Sequence, residues 1–162
     1  MIFVTLGTQD KKFTRLLDCI EKNIKNGVIK DEVIVQAGST SYQSDVMEIK
    51  PFLDRDEFKK YLMDAKVIIT HGGVGTILEA LKNGKKVIGA ARLEKYGEHV
   101  NDHQVQLLTR FDEDKYIIYA ENLDEFDKYY KKIKRFKPKK YVSNQDKFNE
   151  QLDNYISKYI SI

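Results

Sequence analysis

The sequence predicts an α/β fold in which one Rossmann-like parallel sheet carries helices on both faces. Short apolar runs alternate along the chain with amphipathic segments of helical length, which is the pattern of parallel strands joined by helical crossovers. Several of the apolar runs end at a glycine, a residue that readily allows a tight turn after a strand. The length of 162 residues suits a single domain.

The predicted strands are short and rich in apolar residues. The clearest is Lys66–Thr70, a β-branched run that is followed by Gly72 and Gly73. In chain order, the predicted strands are Ile2–Leu6, Glu32–Gln36, Val46–Phe52, Lys66–Thr70, Lys86–Gly89 and Tyr116–Tyr119.

Helices are predicted where apolar residues recur at helical spacing. The first three are Phe13–Ile24, Glu57–Met63 and Val74–Leu81. The fourth follows the polar loop Leu93–Asn101 and ends at about Leu108. The last two are Leu123–Ile133 and, beyond Pro138, Asn144–Ile160. Asp54 or Asp56 is expected to cap the second helix. We therefore divide the chain into a Rossmann-like domain over residues 1–140 and a C-terminal amphipathic helix over residues 141–162.

Composition argues against several classes of protein. A net charge of only +3 does not indicate a nucleic-acid binder. Cys19 is the one cysteine, so a disulfide framework and a Cys-rich metal site are excluded. Cys19 itself is expected to be a buried apolar residue and not a nucleophile. The opening residues lack the basic region of a signal peptide, and no apolar run is long enough to span a bilayer.

Three polar loops follow predicted strands. They are Gly7–Asp10, His71–Thr76 and Arg92–Gln104. Because ligands of open α/β sheets bind at the carboxyl ends of the strands, we expect these loops to lie together around one site.

The central loop has the features of a phosphate site. Its glycines allow a ligand to approach the backbone, and the helix that follows presents unpaired N–H groups and a positive dipole end. Thr76 adds a hydroxyl, and Glu79 shares a helix face with Gly75 and Thr76, where a carboxylate suits the two hydroxyls of a ribose. The alternative is a tight turn in which His71 is a hydrogen-bonded core residue.

The other two loops also allow two interpretations. Gly7 and Thr8 form either a second phosphate contact or an ordinary turn in which Asp10 caps the next helix. In the third loop, Asp102 and Gln104 could bind sugar hydroxyls, whereas Asn101 or Asp102 could cap the helix that follows. These two roles are compatible with each other.

Two motifs, taken in order, resemble a known family. They are H-G-G-x-G-T-x-x-E from His71 and G-E-H-x-N-D-H-Q from Gly97. Together they look like the C-terminal domain of glycosyltransferase family 28, which has the GT-B fold. The opening Phe3–Thr8 is similar to the split members, such as the soluble catalytic subunit of the dolichol-linked GlcNAc transferase and the subunits of bacterial capsule and exopolysaccharide glycosyltransferases. The resemblance covers about the first two thirds of the chain.

The resemblance implies roles for individual residues. His71, Glu79 and His99 would be the catalytic residues, with Glu79 also holding the ribose. The donor-binding residues would be Gly7, Thr8, Gly72, Gly73, Gly75, Thr76, Asn101, Asp102 and Gln104. GT-B enzymes of this kind need neither metal nor cofactor. Asp54-Arg55-Asp56 matches the metal-binding D-x-D pattern of another transferase fold, but we interpret it as helix capping because it lies far from the glycine loop in sequence.

The resemblance also implies an activity and partners. It implies the donor-binding catalytic subunit of a two-component inverting glycosyltransferase. That enzyme moves a hexose from a UDP-sugar to a lipid-linked saccharide in exopolysaccharide or capsule synthesis. Galactose is the first expectation, and UDP-GlcNAc or UDP-glucuronic acid is the alternative donor. A complete GT-B enzyme is about twice as long, so the acceptor site is expected on a membrane-anchored subunit that recruits this cytoplasmic chain to the inner face of the plasma membrane.

Other functions stay open. The chain could be a non-catalytic nucleotide-sugar-binding or regulatory module. A Rossmann-type oxidoreductase is disfavoured because the first strand is not followed by G-x-G-x-x-G.

Two C-terminal features bear on partners. Lys128–Lys140 is densely basic, and it is either a solvated helix face or a contact with anionic lipid headgroups. An apolar stripe in the terminal helix either covers the protein's own core or docks onto a partner. The stripe consists of Phe148, Leu152, Tyr155, Ile156, Tyr159 and Ile160.

Overall fold

The computed structural model describes residues 1–141 together with Asn154 and Ser157. Within them the chain forms one six-stranded sheet in the order β3-β2-β1-β4-β5-β6, and every neighbouring pair is parallel. The strands are β1 (Ile2–Thr5), β2 (Val33–Gln36), β3 (Glu48–Lys50), β4 (Val67–Thr70), β5 (Lys86–Gly89) and β6 (Ile118–Tyr119). The predicted parallel α/β sheet is therefore confirmed.

Helices cover both faces of this sheet. They are α1 (Thr14–Lys25), α2 (Arg55–Asp64), α3 (Val74–Lys82), α4 (His103–Glu113) and α5 (Phe126–Arg135). Alternate residues of β1 enter different cores, because successive side chains of a strand point to opposite faces. Val4 packs with α1 and α5, and Phe3 packs with α2, α3 and α4.

Several boundaries differ from the predicted ones. β3 is limited to Glu48–Lys50 because it is an edge strand that pairs with β2 alone. α4 continues past Leu108 to Glu113. The proposed capping of α1 by Asp10 is wrong. The N-cap position is occupied by Phe13, which makes no side-chain cap. Its ring is buried, and its backbone N–H donates to Thr40 Oγ1 (3.0 Å). These two interactions fix the path of the chain into the helix.

The basic run Lys128–Lys140 overlaps α5. Phe126, Tyr130 and Ile133 of this helix are buried, while Lys128 and Lys131 are exposed and pair with carboxylates of the same segment. The helical part of the run is thus exposed, and contact with anionic lipid headgroups stays a prediction. None of the helices within the described residues is both long and apolar enough to cross a membrane.

The predicted terminal helix and its apolar stripe lie outside the described residues, apart from Asn154 and Ser157.

Candidate functional site

Three strand ends lie side by side at the carboxyl edge of the sheet. Thr5 of β1 pairs with Thr70 of β4, and Thr70 pairs with Gly89 of β5, so the three strands end at one level. The loops that follow them are the three that the sequence singled out. They converge where the strand order reverses, between β1 and β4, which is the usual ligand position in open α/β sheets.

A cavity of about 580 Å³ opens at this edge, within the size range of small-molecule sites. It brings together residues of the first two loops and of α3. The predicted site residues that line it are Gly7, Thr8, His71, Gly73, Gly75, Thr76 and Glu79. The cavity is thus built from the phosphate-type loops and the carboxylate that follows them.

Gly7 and Gly73 leave space for the imidazole of His71. A Cβ atom at Gly7 would lie 2.3 Å from His71 Nε2, and a Cβ atom at Gly73 would lie 2.9 Å from the same nitrogen. Gly7 also has a φ of 74°, which disfavours any other residue. Gly72, by contrast, faces Leu108 and Gln104 of α4 and does not line the cavity.

Helix α3 begins directly at the cavity. Gly73 is its N-cap and offers no side chain to the first turn, whose N–H groups have no partners within the helix. The first intrahelical bond runs from the Ile77 N–H to the Gly73 carbonyl (3.1 Å). Thr76 and Glu79 project from the same helix into the cavity lining. The helix start therefore offers N–H donors and a positive dipole end to an anion.

His71 is the first residue of the central glycine loop, and it is buried, with 7% of its surface exposed. Its Nδ1 lies 3.3 Å from Nε2 of Gln104, and Oε1 of Gln104 accepts the backbone N–H of Arg92 (3.0 Å). Burial, with smaller effects of Arg92 and His99, lowers the pKa of His71 to about 3. This histidine is therefore neutral at physiological pH. It is hydrogen-bonded and buried, yet it also lines the cavity, so the choice between a plain turn and a phosphate site stays a prediction.

Arg92 is a buried cation that the sequence reasoning missed. Its Nη2 donates to the Leu6 carbonyl (2.6 Å) and its Nη1 to the carbonyls of Lys11 (2.6 Å) and Glu98 (3.3 Å). Burial lowers its pKa from the ordinary arginine value. The guanidinium thus ties both ends of the β1–α1 loop to the loop after β5. The available signal was a charged residue that ends the short apolar segment after β5, behind Ala90 and Ala91.

An ion pair between buried Glu98 and partly exposed Arg15 stabilises the third loop. The Glu98 carboxylate accepts two bonds from Arg15 of α1 (2.9 and 3.0 Å) and one from the Leu93 N–H (2.9 Å). A bidentate arginine–carboxylate pair of this kind fixes orientation as well as distance. The loop is therefore attached to α1 and, through Arg92, to the β1–α1 loop.

The polar residues of the third loop largely bind one another. Asp102 Oδ1 accepts the Glu94 N–H (2.9 Å), and its side chain does not cap α4. Asn101 Oδ1 instead accepts the N–H of His103, the first residue of α4 (3.1 Å). His99, Asn101, Asp102 and Gln104 do not line the cavity.

His99 connects the third loop to the first. Its Nε2 meets the side-chain amide of Gln9 at 3.0 Å, and its Nδ1 accepts the Asn101 N–H at 3.2 Å. Burial, followed by the charge of Arg92, lowers the pKa of His99. Gln9 itself lines the cavity, so His99 lies just behind the cavity wall.

The cavity lining also includes residues that sequence reasoning did not assign to the site. Gln36 ends β2, and its Oε1 accepts the Leu53 N–H (3.3 Å). Leu53, Arg55, Phe58 and Lys59 also line the cavity. Asp54 also lines the cavity and accepts the Glu57 N–H (2.9 Å), which confirms its predicted role as the cap of α2.

Cys19 lies apart from this site. It lines a second cavity, of about 790 Å³, that runs along α1 and contains none of the predicted site residues. Its Sγ donates to the Leu123 carbonyl (3.3 Å), and burial raises its pKa to about 11. The thiol is therefore protonated at neutral pH, as expected of a residue that is not a nucleophile.

The fold and the paired glycine loops define the class of protein, which is the C-terminal domain of a GT-B glycosyltransferase. The sequence-family model for the Glycosyltransferase family 28 C-terminal domain matches residues 1–158 of this chain. The chain belongs to this family.

Individual relatives agree with this assignment. Mouse UDP-N-acetylglucosamine transferase subunit ALG13 is 25% identical over 127 residues, which cover 73% of this chain and 10% of that protein. The chain thus spans about a tenth of the length of this curated relative. The solution structure of ALG13 has a TM-score of 0.61 at 18% identity and covers 99% of this chain and 96% of its own. The glycosyltransferase of kitacinnamycin has a TM-score of 0.58 at 12% identity, over 98% of this chain and 38% of its own.

Proposed function

We propose that this chain is the donor-binding catalytic subunit of a two-component inverting glycosyltransferase that uses a UDP-sugar. The observation that carries the proposal is the single cavity shared by two glycine loops, the start of α3 and Glu79. The diphosphate would lie at the α3 N-terminus, where N–H groups and the helix dipole favour negative charge. Glu79 lies one turn further along α3, and its carboxylate suits the two hydroxyls of the ribose.

The cavity residues that precede and begin α2 suit the base. Leu53 and Phe58 offer apolar surface for the uracil ring, and Lys59 adds a polar group. A nucleotide placed this way has its donor sugar toward the third loop. We assign His99, Asn101 and Asp102 to the surroundings of that sugar.

The proposed reaction is a direct displacement. A hydroxyl oxygen of the acceptor attacks the anomeric carbon, the bond from that carbon to the β-phosphate oxygen breaks, and UDP leaves with the electron pair. A base on the partner takes the hydroxyl proton. The start of α3, the Thr76 hydroxyl and neutral His71 would stabilise the charge that develops on the leaving diphosphate. The proposed mechanism needs no metal ion, because these donors would act on the diphosphate directly.

The partner and acceptor rest on the family resemblance. The mouse relative is named as a subunit of a UDP-N-acetylglucosamine transferase, which supports both a UDP-sugar donor and a multi-subunit enzyme. We propose a membrane-anchored partner that binds a lipid-linked saccharide of exopolysaccharide or capsule synthesis and recruits this chain to the inner face of the plasma membrane. Galactose is the donor sugar we test first, with GlcNAc and glucuronic acid as alternatives.

Titration calorimetry tests donor binding. UDP and a UDP-hexose should bind the purified chain equally well with and without EDTA, and NAD should not bind. Loss of UDP binding in EDTA would contradict the metal-free site and would favour the D-x-D interpretation of Asp54 and Asp56. Binding of NAD in preference to UDP would instead favour a Rossmann-type oxidoreductase.

A further inference from the structure

Both polar groups of the Gln104 side chain have partners within the protein. It is 9% exposed, its Oε1 accepts the backbone N–H of Arg92 at 3.0 Å, and its Nε2 lies 3.3 Å from Nδ1 of His71. Only the amide oxygen can accept the Arg92 N–H, because the NH₂ group has no acceptor capacity. The NH₂ group must therefore face His71 and donate to it.

This orientation determines where the proton of His71 lies. A nitrogen that accepts a hydrogen bond carries no proton, so Nδ1 is unprotonated and the proton of the neutral ring is on Nε2. Nε2 is the atom wedged between the two glycine loops, 2.3 Å and 2.9 Å from the positions that Cβ atoms would take at Gly7 and Gly73. His71 also lines the cavity. The Nε2–H group is thus the one directed at the floor of the site.

We infer that Gln104 is a positioning residue that holds His71 in the Nε2-protonated tautomer, so that a neutral N–H donor faces the oxygens of a bound diphosphate. The inference rests on the proposed nucleotide site. It differs from the family expectation, in which Gln104 reads the donor sugar. The low pKa of His71 is consistent with this role, because the ring stays neutral and would otherwise be free to place its proton on either nitrogen.

The two roles predict different effects on binding. A residue that orients His71 acts on the diphosphate, so its loss weakens UDP and UDP-hexose alike. A residue that reads the sugar acts on the hexose, so its loss weakens the UDP-hexose and leaves UDP unchanged. UDP without a sugar is therefore the probe that separates them.

Nitrogen-15 NMR of the histidine side chains tests the tautomer in the nucleotide-free protein. In the wild type, His71 should show a protonated Nε2 and an unprotonated Nδ1. In Gln104→Glu, a carboxylate oxygen replaces the NH₂ group, so Nδ1 should become protonated. Gln106→Glu makes the same change at an exposed position of α4 and should leave the His71 signals unchanged. A wild-type His71 with its proton on Nδ1, or with mixed tautomers, would overturn the inference.

Calorimetry provides the second measurement. UDP should bind Gln104→Glu about tenfold or more weakly than it binds the wild type, because the Nε2–H donor is lost and a negative charge is added; Gln106→Glu should bind UDP like the wild type. If Gln104→Glu weakens only the UDP-hexose, the positioning role is wrong. If the wild type binds no UDP, the proposed function fails, while the NMR result still decides whether Gln104 sets the tautomer.

Discussion

At the scale of single residues, Glu79 provides the most direct test of the nucleotide site. Its half-buried side chain lines the cavity on the α3 face that also carries Thr76. Glu79→Ala should weaken UDP binding at least tenfold, because hydrogen bonds to a charged group contribute about 1.5–3 kcal/mol each. The melting temperature should hardly change, since alanine is the best helix former. Calorimetry and thermal unfolding provide the two measurements.

Lys82→Ala is the matched control for that substitution. Lys82 is an exposed residue of the same helix and lies outside the cavity lining. The control should retain wild-type UDP affinity. If Glu79→Ala destabilises the fold as much as it weakens binding, Glu79 is a structural residue and not a ribose ligand.

His71 makes stability depend on pH. Its folded-state pKa of about 3 lies below the ordinary value of 6.5, so the unfolded chain binds this proton more readily. The contribution of neutral His71 to the free energy of unfolding is complete above about pH 6.5. It is lost as the pH falls toward 3, by up to about 1.4 kcal/mol per pH unit. Urea unfolding between about pH 7 and pH 5 should show a smaller loss in His71→Gln. An equal loss of stability in His71→Gln and the wild type would contradict this role of His71. His103→Gln is the control for the removal of a histidine.

At the scale of the elements, substitutions of Asp54 distinguish a helix cap from a metal ligand. Its carboxylate accepts the Glu57 N–H at the start of α2. Asp54→Ala should cost about 1 kcal/mol of unfolding free energy, whereas Asp54→Asn should cost little, because asparagine is an equally good N-cap. Chemical denaturation measures both. Asp56→Ala removes a first-turn carboxylate without removing the cap, so it should cost less than Asp54→Ala. If Asp54→Asn instead abolishes UDP binding in a metal-dependent way, Asp54 is a metal ligand.

Sequence patterns predicted the elements better than their ends. Parallel strands buried on both faces are apolar throughout, so runs such as Lys66–Thr70 were easily recognised. The start of α1 was predicted to within one residue, but a cap by Asp10 is wrong, because no polar side chain caps this helix and burial of Phe13 sets its entry instead. The extent of β3 depends on pairing at a sheet edge, which is a tertiary property.

At the scale of the whole molecule, the glycine loops and Glu79 were predictable because each follows or opens an element with a recognisable pattern. Arg92, Glu98 and the role of Gln104 were not, because their partners are distant in sequence. Arg15 lies 83 residues from Glu98, and His71 lies 33 residues from Gln104. Local spacing indicates which residues can reach a ligand, but it does not indicate which of them are already bound to one another.

The proposed function assigns donor binding, but not the whole of transfer, to the described part of the chain. In the proposed function, the cavity would provide a phosphate cradle and a ribose ligand, and the resemblance implies that acceptor binding and the base belong to a membrane-anchored partner. We therefore expect the purified chain to bind UDP yet to transfer no sugar. Transfer to lipid should appear when the chain is combined with the partner, and the partner alone should be inactive. Radiolabelled sugar incorporation into lipid, measured with each subunit and with both, provides the test. Full turnover by this chain alone would refute the two-component enzyme, and donor binding without transfer in the reconstituted pair would favour a non-catalytic binding module.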